Sequence, residues 1–303
     1  MHRVSVIAAL LSLMAPVLNA AAQQSPQGKA PEDPAWYKRF LPKRIVYQVP
    51  GMEQVKVTKN VTYKRVGGAE LQMDAYAPPD LPKGKRLPAV IFIHGGPLPP
   101  NLRTPVKDAG VYVSYGQLLA ASGFIGVTFT HRYFGWNSLP DSQSDVADLI
   151  AYVRANADAL QIDKERLCLW AFSGGGLFLG PAIREAPPHL RCLVSYYGLL
   201  DARHLRREIP AAVTEDTLRE ASPLYQLEQR GKGVPPLFVA RAGRDSPDLI
   251  GPADRFVHEA ISKNCTIDYS NHADAIHAFD LDDNDRSRAI IRRTLDFVKE
   301  HTR

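Results

Sequence analysis

From Leu87 onward the chain alternates two kinds of hydrophobic pattern. Unbroken apolar runs, "PAVIFIHGG", "FIGVTFTHR", "RLCLWAF", "LRCLVSYYG" and "PPLFVARAG", read as strands buried on both faces. Between them lie segments with apolar residues at helical spacing: "YVSYGQLLAASG", stopping at Gly123, and "SDVADLIAYVRANADAL", with Asp141 or Ser144 near its start. "GGLFLGPAIREA", "ADRFVHEAISKN" and the closing "DRSRAIIRRTLDFVKEH" follow the same pattern. "CTIDYSN" predicts a short strand between the last two helices. Such alternation predicts an α/β domain with a mostly parallel sheet covered by helices on both faces. Ahead of it, "VKVTKNVTYKRV" and "ELQMDAYAP", joined at "GGA", read as a hairpin and predict an antiparallel N-terminal edge. The alternation lapses between Gly198 and Gly233, where the chain is polar, partly helical and without a strand. Residues 199–233 are therefore expected as a lid-like insertion over the strand ends, within one domain spanning 45–303.

The first 44 residues fit neither pattern. His2 and Arg3, the apolar run "VSVIAALLSLMAPVL" and the small residues that follow predict a signal peptide over residues 1–22, cut after Ala22 or Ala20. The run is short and broken by Ser12 and Pro16, which argues against a membrane span. Residues 23–44, rich in Gln, Pro, Lys and Ala, read as a linker or arm over the domain surface. The expectation is an exported protein, periplasmic or extracellular, with no membrane attachment after signal removal. A formal charge of +5 over 303 residues, with the basic residues scattered, speaks against a nucleic-acid partner. The short clusters at 38–43 and 203–207 read as solvated surface. Cys168, Cys192 and Cys265 sit in apolar, strand-like runs, fit no metal spacing and read as buried thiols, with any disulfide pairing left open.

Candidate chemistry gathers at strand ends. In "LCLWAFSGGGLFLG", Ser173 sits between an apolar strand and an apolar helix, flanked by small residues. A nucleophile elbow has this form: the serine occupies a sharp turn, and close approach of strand and helix excludes larger neighbours. Ala171 stands where glycine is usual in G-x-S-x-G. Phosphate-binding signatures are not met. "IFIHGGPLPP" closes another buried strand in a loop that can aim an N–H at an oxyanion. Pro97 has no N–H, so Gly96, ahead of Gly95, is the expected donor, with Gly174 as its partner; His94 reads as a loop-shaping residue. Asp245 in "ARAGRD" lies just past a strand end, where a carboxylate could orient a histidine, with Asp248 as runner-up. His277 in "HADAIHAFD" precedes the last helix, with His272 as runner-up. Asp274, Asp280, Asp282 and Asp283 read as surface charge and helix-start residues, since a regular calcium loop is absent. Arg132, Tyr133, Phe134 and Trp136 end a strand at the same rim, as pocket lining or as packing.

With "HGGP", "NADALQIDKERLCLWAFSGGG", "SPLYQL", "ARAGRD" and "HAFD" in this order, the chain resembles the α/β-hydrolase superfamily, and within it the dienelactone-hydrolase and prolyl-oligopeptidase-like serine esterases. The resemblance covers roughly Val55 to Val298. It implies Ser173 as nucleophile, His277 as base and Asp245 as the orienting acid, with no metal or organic cofactor. Serine rather than cysteine at the elbow points from a strict dienelactone hydrolase towards a carboxylesterase for small or medium acyl esters. A serine peptidase of the same fold and a non-catalytic protein retaining the fold are the alternatives. The peptidase reading lacks an identifiable acidic anchor for a substrate amine, and only about 30 residues separate the signal from the first strand. The intact Ser, Asp and His order speaks against the non-catalytic reading.

Overall fold

The computed structural model describes residues 33–303. The expected signal peptide, 1–22, and the first part of the expected arm, 23–32, lie outside the described residues.

Eight strands form one sheet in the order β1-β2-β4-β3-β5-β6-β7-β8. They are β1 (Lys56–Val66), β2 (Ala69–Ala77), β3 (Leu87–Ile93), β4 (Ile125–Phe129), β5 (Ile162–Phe172), β6 (Leu190–Tyr196), β7 (Leu237–Ala242) and β8 (Ile267–His272). Strand β2 runs antiparallel to both β1 and β4, and every other pairing is parallel. The antiparallel edge is thus the expected hairpin, turning at Gly67 and Gly68, both with positive φ.

The unbroken apolar runs follow from burial on two sides. In β3, Ala89, Ile91 and Ile93 face one layer while Val90 and Phe92 face the other; in β5, Leu167, Leu169 and Ala171 alternate with Cys168, Trp170 and Phe172. On the first face pack helices α3 (Leu139–Ala155), α4 (Gly180–Glu185), α5 (Glu215–Ala221), α6 (Pro223–Arg230) and α7 (Pro247–Ser262). The second is covered by α2 (Gly110–Ala121) and α8 (Asp285–His301). Trp170, fully buried among Phe92, Tyr115, Phe172 and Tyr196, is the largest side chain of that second core.

Four details differ from the sequence expectations. Within 23–44, the described residues carry a helix, α1 (Ala35–Phe40), docked on the domain. Tyr37 is buried and its hydroxyl donates to the Thr104 carbonyl at 3.0 Å, while Asp33 accepts from the backbone N–H groups of Arg103 and Thr104. Within 199–233, Leu218, Ala221, Leu224 and Leu227 join the first core, so α5 and α6 are part of the helical layer beside α4 and α7. Arg203, expected in a solvated cluster, pairs with Asp201 and Glu228 and so ties the start of the insertion to α6 within it. Cys265 is only half-buried, in the turn between α7 and β8, whereas Cys168 and Cys192 are buried side by side on paired strands; all three thiols are free.

Candidate active site

Ser173 directly follows β5 and opens a 3₁₀ turn, Ser173–Leu179, that leads into α4. Its φ is 52°, a left-handed conformation that non-glycine residues adopt at a cost, and Leu199 pins it by donating to the Ser173 carbonyl at 2.9 Å. The substitution of Ala171 for glycine is harmless because Ala171 is an ordinary strand residue paired with Ile93 and Ser195. The glycines after the serine are the constrained ones. A Cβ on Gly175 would lie 2.5 Å from the His94 carbonyl oxygen. Gly176 is also tight, with a Cβ 2.8 Å from the Leu199 carbonyl oxygen. Three glycines in a row also explain why the expected α-helix begins as a 3₁₀ turn: they contribute little helix propensity.

The sequence-distant candidates converge on this serine. His277 Nε2 lies 2.9 Å from Ser173 Oγ, and His277 Nδ1 lies 2.6 Å from Asp245 Oδ2. The hydrogen-bond network assigns the tautomer: Nδ1–H donates to the carboxylate and Nε2 accepts from the serine hydroxyl. Asp245 is itself nearly fully buried, and its other oxygen accepts from the Ser246 N–H at 2.8 Å. The two runners-up lie elsewhere. His272 ends β8 and contacts Asn284 Oδ1 at 3.1 Å. Asp248 sits in the first turn of α7, behind the Ser246 cap.

The loop after β3 lies against the serine. A Cβ on Gly95 would sit 2.9 Å from Ser173 Cβ, and one on Gly174 would sit 2.4 Å from the Gly96 carbonyl oxygen. The Gly95 N–H donates to the Tyr112 hydroxyl at 3.3 Å, which leaves Gly96 as the better candidate donor of the pair. Tyr133 backs the loop: its ring lies within 3 Å of the Cβ positions of both Gly96 and Gly174, and its carbonyl accepts from Leu98 N–H at 2.9 Å. Of its neighbours at the rim, Arg132 is held bidentate by buried Asp145, Phe134 is exposed and Trp136 packs on the first core.

His94 shapes this loop through a partner that sequence reasoning missed. Its ring stacks on His131 with centroids 3.6 Å apart and planes 7° from parallel. His94 Nδ1–H donates to the Gly95 carbonyl at 2.6 Å, and Nε2 accepts from the His131 backbone N–H. His131 Nε2–H donates to the His94 carbonyl at 3.2 Å. Burial pushes His94 down to about 4, and burial together with His94 pushes His131 down as well. Both rings are therefore neutral when folded. Their folded values lie below the unfolded value near 6.5, so their contribution is complete above pH 6.5 and is lost as pH falls towards 4. Denaturant unfolding is expected to weaken over that window by about 1.4 kcal/mol per pH unit for each proton taken up on unfolding. His131→Asn should flatten the profile; parallel wild-type and variant profiles would contradict this account.

A further buried group, Asp280, was expected at the surface. It is fully buried instead and accepts hydrogen bonds from Tyr115 and Tyr197. Among the described residues no group of His, Cys, Asp or Glu is arranged to hold a metal, and no helix is long and apolar enough to cross a membrane.

This sheet order, with a serine elbow after β5, an acid after β7 and a histidine after β8, is the α/β-hydrolase fold. The comparisons agree. The family described as BD-FAE matches residues 73–179, from β2 through the turn that follows Ser173. Esterase LipQ of Mycobacterium tuberculosis is 24% identical over 260 residues, covering 77% of this chain and 60% of LipQ. A second protein of that organism, named "Probable carboxylic ester hydrolase LipM", is 26% identical over 251 residues, covering 73% of this chain and 56% of LipM. The chain thus spans less than two thirds of these relatives. Among solved structures, the propionate-bound esterase Est2 of Thermogutta terrifontis superposes with a TM-score of 0.65 at 18% identity, covering 83% of this chain and 94% of that one. The same esterase has also been solved phosphorylated by paraoxon. The chain has the α/β-hydrolase fold.

Proposed function

We propose that this protein is an exported serine carboxylesterase that cleaves small or medium acyl esters. The observation that carries the reading is the continuous relay from Ser173 Oγ through His277 to Asp245, at 2.9 and 2.6 Å. His277 takes the hydroxyl proton as Ser173 Oγ attacks the ester carbonyl, and returns it to the departing alcohol. Asp245 holds the imidazole tautomer and stabilises the imidazolium. The N–H groups of Gly174 and Gly96 stabilise the oxyanion. Water, deprotonated by His277, then attacks the acyl-enzyme, and the proton passes from His277 to Ser173 Oγ as the acid is released. The esterase names of LipQ and Est2 support an ester as substrate, and the paraoxon-phosphorylated Est2 supports organophosphate reactivity as the test. Export rests on the character of residues 1–22 alone.

A fluorophosphonate probe is expected to label the wild-type protein and not Ser173→Ala, and a panel of esters of graded acyl length should be turned over with a preference for the shorter members. Folded wild-type protein that takes no label would sink the esterase reading. Protein found only in the cytoplasm, with Met1 still at its N-terminus, would remove the export clause.

A further inference from the structure

Three residues beyond His277 lies a carboxylate with no role in the relay. Asp280 is fully buried, yet both of its oxygens are partnered by hydroxyls: Tyr115 donates to Oδ2 at 2.7 Å and Tyr197 to Oδ1 at 2.8 Å. The two tyrosines come from different elements. Tyr115 belongs to α2, and Tyr197 directly follows β6. The Asp280 carbonyl accepts from Val46 N–H at 3.0 Å, so the turn after His277 is tied to the N-terminal segment as well.

Tyr197 connects this cluster to the chemistry. Its ring meets the His277 imidazole edge-on, with centroids 4.6 Å apart and an interplanar angle of 62°. Its backbone has a φ of 39°, and its N–H donates to the Ala240 carbonyl in β7 at 2.8 Å. Ring and backbone are thus both fixed, and the hydroxyl of that ring ends on Asp280.

We infer that Asp280 is a positioning residue: anchored by Tyr115, its carboxylate acts through Tyr197 to set where the His277 imidazole stands between Ser173 and Asp245. Burial keeps both tyrosines protonated, so they remain donors to the carboxylate. A carboxylate buried among aromatic rings is costly unless its oxygens are satisfied, and here two hydroxyls satisfy them. The arrangement places that cost directly behind the histidine rather than on the surface, where an aspartate after a turn would ordinarily lie. It matters because transfer through two short hydrogen bonds is sensitive to sub-ångström displacement of the ring.

The inference rests on the esterase reading, and the experiment separates the two. Asp280→Asn keeps the shape and one acceptor oxygen; Tyr197→Phe keeps the ring against His277 and deletes one hydroxyl. Active serines are titrated to completion with the fluorophosphonate, and kcat per titrated site and KM are measured on the best ester. Asp280→Asn is expected to lower kcat per site about tenfold, and Tyr197→Phe about threefold, with KM within about twofold of wild type. A merely structural role would lower the melting temperature and the number of titratable sites while each remaining site turned over at the wild-type rate, and that result overturns the inference. Should Asp280→Asn not fold, Tyr197→Phe decides alone, and a wild-type kcat per site overturns the inference equally. Failure of the wild-type protein to label removes the esterase reading and this inference together; normal labelling with unaltered variants removes only this inference.

Discussion

Ser173→Ala is expected to lower kcat/KM on a short-chain ester by about 10⁴ or more, and adding His277→Ala to lower it no further. The reason lies in the shared proton. Oγ at 2.9 Å from Nε2 is a nucleophile only while the imidazole can accept its hydrogen, and the imidazole has no function in acylation once Oγ is gone. Removing either partner removes the same step, so the losses do not multiply. What remains in both variants is background turnover from substrate binding and the oxyanion donors. The measurement is steady-state kinetics on purified wild type, each single variant and the double variant, with folding checked by thermal melting. Multiplicative losses in the double variant would mean that the two side chains act in separate steps, against the relay.

Gly174→Ala is expected to lower kcat by about 10²–10³ while leaving the nucleophile in place. Gly174 does not have a positive φ, so the added methyl acts by bulk alone. It would sit 2.4 Å from the Gly96 carbonyl oxygen and 2.9 Å from Tyr133 Cε1. Neither neighbour can yield easily: one is backbone, and the other belongs to a buried ring packed on Phe178. The loop must move away, and it takes the Gly96 N–H out of line with that of Gly174. Gly251→Ala is the control, because its nearest contact would be the end of the Arg255 side chain at 3.7 Å. Wild-type kcat in Gly174→Ala would show that the two N–H groups do not act together.

The sheet was legible where burial leaves a continuous mark. Strands β3, β5, β6 and β7 are apolar on both faces, and each was readable as an unbroken run. The relay was legible because its three members each sit just beyond a strand, in an order with chemical meaning. Asp280 was not. Among Asp282, Asp283 and Asp285 it looks like one more surface charge, and nothing local announces Tyr115, 165 residues away, as its partner. His131 was hidden for the same reason: its meaning depends on a ring 37 residues upstream in the neighbouring strand's loop. The docking of α1 escaped notice because its polar, proline-rich surroundings outweigh two anchors, Asp33 and Tyr37.

Those two anchors bear on where the folding unit begins. Asp33 and Tyr37 hold Arg103 and Thr104, and Gly110 N–H donates to the Leu41 carbonyl at 2.7 Å. The segment they grip, 103–110, joins the loop after β3 to α2. A chain trimmed to the hairpin would keep every strand and all three relay residues, yet it would release this segment from its outer clasp. Asp33, Tyr37 and Leu41, all ahead of the first strand, thus serve as a hasp on the wall beside Ser173.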